Sequence, residues 1–226
     1  MQDALEPALA SIAGIPVKLT GAGRTDRGVH ARLQVAHFDT AAQRPSSAWV
    51  RGVNALLPDS VAVLWSQEVP DDFHARYSAR ARTYRYELLN RPVRPGLASQ
   101  HVGWFHLPLD VESMRAAAAL FVGEHDFSAF RSSECQAKSP VRTIYQFEIS
   151  TRGETIYFVV RANVFLHHMV GNLVGTLVYV GKGKHPAQWV QELLHSKDRS
   201  RSAPTFGPQG LYLERIEYEA RWGLPL

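Results

Sequence analysis

The order in which the apolar pattern changes period constrains this chain most. Over residues 3–13, apolar Ala4, Leu5, Ala8, Leu9 and Ile12 recur at helical spacing, and Pro16 ends the segment. Residues 17–19, 33–38 and 61–69 read as strands. A helix over 46–56 precedes the last of them, opened by Ser46 or Ser47 and stopped by Pro58. Beyond residue 78 the pattern gives a long strand over 79–89 and a helix over 110–122 with Asp110 at its start. A hairpin follows, 141–150 and 155–162, turning at Arg152-Gly153-Glu154. A mostly apolar helix over 165–180, a short helix over 186–194 and a strand over 211–218 complete the chain.

From residue 79 onward the order is strand, helix, strand, strand, helix, strand, which is the split ferredoxin-like unit. The first part has the same order without its opening strand. The expected fold is therefore α+β: two ferredoxin-like halves that contribute to a mixed, mainly antiparallel sheet with flanking helices. The turn-rich stretch 70–76 places the boundary, giving an N-terminal half of 1–73 and a C-terminal half of 74–226. In such a unit the opening strand lies inside the sheet. Its absence is expected to leave neighbouring strands with unpaired backbone groups, as though the sequence started late.

The hydrophobic fraction of 45% and charged fraction of 20% exclude disordered and fibrous classes. The N-terminus carries acidic Asp3 and Glu6 and no basic segment, unlike a signal peptide. The longest apolar run, 164–180, is interrupted by His167, His168 and Asn172, so no membrane span is expected. One cysteine, Cys135, allows no internal disulfide and no Cys-rich zinc site, which fits the cytoplasm. The net charge is +4, and 20 of the 25 basic residues are arginine. Arginine's planar fork suits phosphate and base recognition. A GC-rich genome would give the same bias, so position has to decide.

The segment Gly21 to Ala31 reads GAGRTDRGVHA. It lacks the third glycine of the dinucleotide fingerprint, which falls at Asp26, and the Gly-Lys-Ser/Thr of the phosphate loop. Gly181-Lys182-Gly183-Lys184 lacks the latter too. What remains is a glycine-hinged loop holding Asp26 between Arg24 and Arg27. Flanking positive charge keeps a carboxylate ionised, and hence nucleophilic or basic. A turn aspartate salt-bridged to its neighbours would look the same. In the strand from Ala79, period two puts Arg80, Arg82, Tyr84 and Tyr86 on one face, with Arg76, Arg85, Arg91 and Arg94 nearby. Such interleaving suits base stacking and phosphate neutralisation. A solvated basic strand whose tyrosines pack in the core is the alternative. His167 and His168, read as adjacent residues on a helix, point to different faces and lack a carboxylate partner, so no metal site is expected.

GRTDRGVHA resembles the catalytic loop of the tRNA pseudouridine synthase A family, whose pattern is GRTDxGVHA. Val53-Asn54-Ala55-Leu56-Leu57-Pro58, Asp72-Phe73-His74-Ala75-Arg76, Tyr84-Arg85-Tyr86, Gly123-Glu124-His125-Asp126-Phe127 and the segment 162–168 are similar to further family blocks, in family order. The resemblance covers essentially the whole chain. It implies the pseudouridine-synthase fold with a central cleft, and an isomerase that converts uridine to pseudouridine at positions 38, 39 and 40 of the tRNA anticodon stem-loop. By the same resemblance Asp26 is the catalytic aspartate, Tyr84 stacks on the target uracil, and Arg24 helps position the flipped nucleotide. Arg82 joins them as a substrate-binding residue on the strand. The implied enzyme is a cytoplasmic homodimer that needs no cofactor, because the reaction rearranges the substrate without net gain or loss.

Two departures from the family pattern carry expectations of their own. The opening Tyr-Asp-Gly and Gly-Trp-Gln segments are not in this sequence, which predicts poor folding or low activity. Gly171 stands where the family has an arginine that pairs with the catalytic aspartate. Arg24 and Arg161 are the candidate substitutes. That departure predicts weakened catalysis with RNA binding retained, and leaves a catalytically weakened RNA-binding protein of the same fold as the second reading.

Overall fold

The computed structural model describes residues 1–225. In chain order the elements are α1 (Gln2–Ala13), β1 (Thr20–Gly21), β2 (His30–Ala31), β3 (Ala36–His37), a wide helical turn at Ala48–Gly52, β4 (Ala81–Asn90) and β5 (Gly103–Phe105). Then come α2 (Val111–Ala119), β6 (Gly123–Asp126), β7 (Val141–Arg152), β8 (Thr155–Ala162), α3 (Met169–Gly181), α4 (Trp189–Ser196) and β9 (Leu211–Glu217). They belong to two compact units. One comprises Met1–Arg24, Gln34–Arg80 and Ile216–Leu226; the other comprises Thr25–Leu33 and Ala81–Arg215. This division departs from a single boundary at 73/74. The loop residues from Thr25 belong with the second unit, and the C-terminal segment with the first.

The first unit is built on α1, whose Ala8, Leu9 and Ala13 are buried together with Val17, Leu19 and Val53. Gly14 ends the helix in the left-handed conformation at φ 76°, and its N–H bonds to the Ala10 carbonyl. The sheet expected here is reduced to β1 and β3, paired antiparallel through Thr20–His37 and Gly21–Ala36. Residues 61–69, expected as a strand, are not one. A strand needs a neighbour to satisfy its backbone, and among the described residues none runs beside this segment. The Asn54 side chain takes that place locally, donating to the Val63 carbonyl at 2.8 Å and accepting its N–H at 2.7 Å. The expected helix over 46–56 is present over residues 46–54, widened in its middle at Ala48–Gly52, and Ser47 makes no side-chain cap.

The second unit matches its expectation far more closely. Its 7-stranded sheet runs β2-β9-β4-β8-β7-β6, with β5 paired to β4. Setting aside the short strands, β9-β4-β8-β7 is the fourth-first-third-second order of a split βαβ unit. The pairs β4–β8, β7–β8 and β6–β7 are antiparallel, whereas β2–β9 and β4–β5 are parallel, so the sheet is mixed. Gly153 turns the β7–β8 hairpin at φ 58°. Asp110 caps α2 by accepting from the N–H groups of Glu112 and Ser113. Tyr86, Phe121, Phe130, Phe158, Leu173 and Leu177 are fully buried in the core between sheet and helices.

Helix α3 is buried on nearly all sides, which explains its largely apolar sequence. Its Gly171 and Gly175, one turn apart, lie under the backbone of residues 204–206. A Cβ on Gly175 would overlap the Pro204 carbonyl oxygen, while one on Gly171 would lie 3.0 Å from Thr205 Cγ2 and 3.1 Å from the Phe206 oxygen. The Phe206 N–H donates to the Gly171 carbonyl at 3.0 Å. Overpacking a core costs about 1–3 kcal/mol, and alanine's helix preference over glycine offsets about 1 kcal/mol of it. Gly175→Ala is therefore expected to lose up to about 2 kcal/mol in urea unfolding, and Gly171→Ala less. Unchanged stability of the Gly175 variant would show that the contact yields freely.

Candidate active site

The loop that carries Asp26 is fixed at its far end by pairing with a core strand. His30 and Ala31 pair in parallel with Tyr212 and Leu213, and the Arg32 N–H donates to the Leu213 carbonyl at 2.9 Å. The His30 ring stacks on both His101 and Tyr212 with centroids 4.9 Å apart, and its Nε2 lies 2.9 Å from the Gln100 oxygen. Near the aspartate the chain turns tightly: the Val29 N–H donates to the Asp26 carbonyl at 3.0 Å, and Gly28 has φ 85°. A side chain at Gly28 would be strained by that angle and would meet Pro208. The glycine of the motif is thus a conformational requirement of the turn.

Asp26 faces the residues that precede α3. Its Oδ2 is 3.4 Å from His167 Nε2 and 3.6 Å from His168 Nε2, and the two imidazole rings lie 3.9 Å apart. This corrects the reading of the two histidines as divergent and without a carboxylate. The helix begins at Met169, and His168 has a left-handed backbone at φ 59°. Helical spacing therefore does not govern the pair, and both rings converge on Asp26. Such a backbone angle is uncommon outside glycine and asparagine. It is held by the Asn172 N–H donating to the His168 carbonyl and the Ser132 N–H donating to the His167 carbonyl, both at 3.0 Å.

On β4, Tyr84 packs edge-on against Phe165 at 5.0 Å. Burial pushes its hydroxyl up to about 12, with the Arg82 charge opposing and the Asp26 charge adding to the rise. Asp26 and Arg82 thus each act electrostatically on Tyr84. Arg82 is buried, at 6% exposure, and its Nη1 donates to the Asn163 carbonyl at 3.1 Å. Arg24 belongs to the first unit and is exposed there.

A sequence model described as tRNA pseudouridine synthase matches residues 1–78 and 117–219. The chain belongs to that family. It is similar to the tRNA pseudouridine synthase A of Dechloromonas aromatica, 58% identical over 225 residues that cover 100% of this chain and 86% of the relative. The protein of that name from Nitrosomonas eutropha is 55% identical, covering 100% of this chain and 81% of the relative. Its counterpart in Nitrosomonas europaea is 52% identical over 226 residues, with 83% of the relative covered.

The face of β4 that carries Arg82, Tyr84 and Tyr86 is not an open basic surface. Tyr86 is fully buried between Phe158 and Phe206, and its hydroxyl donates to the Gly207 carbonyl at 2.6 Å. Arg85, on the other face, pairs with Glu87 at 2.8 Å and Glu214 at 3.5 Å. Arg91 pairs with Glu154, and Arg80, in the first unit, with Glu219. The alternation is present in the strand, but period two cannot tell which face of a sheet the helices cover. Residue patterns also missed Asn172. Its side chain donates to the Phe130 carbonyl at 2.8 Å and accepts from Arg199 at 3.0 Å and Thr205 at 2.6 Å. An asparagine in the middle of an apolar helix was the available signal, because a buried amide needs partners.

Burial raises the folded-state pKa of Tyr84 above its ordinary value of 10. The folded chain therefore keeps a proton that the unfolded chain releases. This contribution is whole below pH 10 and is lost as the pH rises toward about 12. Denaturant unfolding at about pH 9 and about pH 11 is expected to show a smaller alkaline loss in Tyr84→Phe than in the parent protein. An equal loss would assign the alkaline sensitivity elsewhere.

Proposed function

We propose that the protein converts uridine to pseudouridine in tRNA, at positions 38, 39 and 40 of the anticodon stem-loop, with Asp26 as its catalytic group. The observation that carries this reading is Asp26 itself, partly open to solvent and within electrostatic reach of the partly buried Tyr84. The reaction breaks the bond between N1 of the uracil and C1′ of the ribose. The base then turns, C5 joins C1′, and the hydrogen on C5 leaves as a proton that is replaced at N1. Atoms and electrons balance within the substrate, so Asp26 needs only to act as nucleophile or base.

Tyr84 suits the holding of a detached base. Its ring is fixed by Phe165 and its hydroxyl remains protonated at neutral pH, so it can contact the uracil without adding negative charge beside the carboxylate. The target nucleotide has to leave its stack before Asp26 can reach it. Arg82 supplies positive charge on the same strand, and Arg24 has the role of steering the flipped nucleotide. The family resemblance supports a cytoplasmic homodimer, which sedimentation at working concentration would test. No helix among the described residues is long and apolar enough to cross a membrane.

The deciding assay uses tRNA carrying tritium at C5 of uridine, since pseudouridine formation releases that atom to water. Asp26→Asn is expected to lower release by at least about 10^4-fold, the scale on which loss of a nucleophile or its partner falls. Filter binding of tRNA by the same variant should be retained. Full tritium release by the variant would remove Asp26 from the chemistry. Absence of release from the parent protein as well would favour an RNA-binding protein of this fold.

A further inference from the structure

We propose that Asp26, His167 and His168 form a binding site for one divalent transition-metal ion of the zinc class, and that the bound ion holds the enzyme inactive. The inhibitory part rests on the reading of Asp26 as the catalytic group; the binding part does not. Among the described residues these are the ones whose metal-binding atoms come together, all within 4.8 Å of one another.

The spacing favours an ion over direct hydrogen bonds. A charge-assisted N–H···O bond is about 2.7–2.9 Å long, whereas Asp26 Oδ2 stands 3.4 and 3.6 Å from the two Nε2 atoms. Zinc holds nitrogen and oxygen ligands at about 2.0–2.2 Å, which makes the edges of its tetrahedron about 3.3–3.6 Å long. Both separations fall within that range, and the three ligand atoms all lie within 4.8 Å of one another. The donor set agrees: two imidazole nitrogens and one carboxylate oxygen suit zinc and its neighbours, whereas magnesium and calcium prefer oxygen throughout.

Access and backbone point the same way. The side chains of Asp26 and His168 are each 42% exposed and that of His167 is 31% exposed, so an ion can enter from solvent. His168 holds a left-handed backbone at φ 59°, uncommon for a residue with a side chain, while its ring lies beside Asp26. Three protein ligands leave a fourth position open to water. The metal–oxygen bond would occupy the Asp26 lone pair that the reaction requires, and the ion would stand where the substrate has to approach.

Cobalt(II) is the probe for binding, since its tetrahedral complexes absorb visible light strongly and its octahedral ones weakly. Titrating the purified protein with Co2+ is expected to give intense visible bands that saturate at one ion per chain and disappear when Zn2+ is added. His168→Asn keeps a residue type that tolerates φ near 59°, and His167→Gln and Asp26→Asn remove the other ligands. Each is expected to weaken Zn2+ binding by more than the roughly 100-fold that loss of a supporting contact alone can cost. Circular dichroism of the variants establishes that they are folded. Zn2+ should abolish tritium release by the parent protein, and a chelator should restore it.

Absence of tetrahedral bands, or binding that is equal in parent and folded variants, would overturn the site. Binding without inhibition would overturn its inhibitory role. If the metal binds as expected while Asp26→Asn stays fully active, the assignment of Asp26 as catalytic falls and the metal site stands. If Asp26→Asn is inactive and no metal binds, the reverse holds.

Discussion

Helix α3 packs against backbone where most helices pack against side chains, and much of the second unit follows from that. With no Cβ at Gly171 or Gly175, residues 204–206 lie directly on the helix, and the Phe206 N–H bonds to the Gly171 carbonyl. The close approach brings Thr205 and Arg199 onto the Asn172 amide, which the Phe130 carbonyl meets from the other side. A buried amide left unpaired would cost about 1–3 kcal/mol, so the four groups fix one another. The same chain segment continues to Gly207, whose carbonyl takes the Tyr86 hydroxyl, and burial raises the pKa of that phenol strongly. One close contact thus ties the helix to the central strand of the sheet.

The loop that carries Asp26 is placed by different means. Its far end is a strand of the main sheet, through His30 and Ala31, and its turn is closed by the Asp26–Val29 hydrogen bond. Asp26 is therefore carried on a short connection whose end cannot move without breaking sheet pairing. Opposite it, the residues that precede α3 present the two imidazoles of His167 and His168.

The second unit was largely legible in the sequence, because its elements are long and their periods unambiguous. The strand Thr155–Ala162 and the start of the strand Val141–Arg152 fall where alternation and the Gly153 turn place them. Strands β2, β5 and β6 were not foreseen. They are two to four residues long, too short for a period to register, and exist because a longer strand offers an edge. In the first unit, residues 61–69 have strand composition but no strand partner, and pairing is a property of neighbours rather than of local sequence. At the site, the family motif singled out Asp26 and Tyr84. The convergence of His167 and His168 was hidden because it depends on one backbone angle, which no residue pattern announces.

Gly171 acquires a meaning that the family pattern alone does not suggest. The resemblance implies an arginine at this position, and in the structure it is the floor on which Thr205 and Phe206 rest. The two properties cannot be separated by changing this residue alone, since any side chain there presses on a neighbour that is itself bonded to the helix. A larger residue at 171 and an accommodating change at 205 or 206 are therefore expected to be non-additive, the pair being better tolerated than the first change alone.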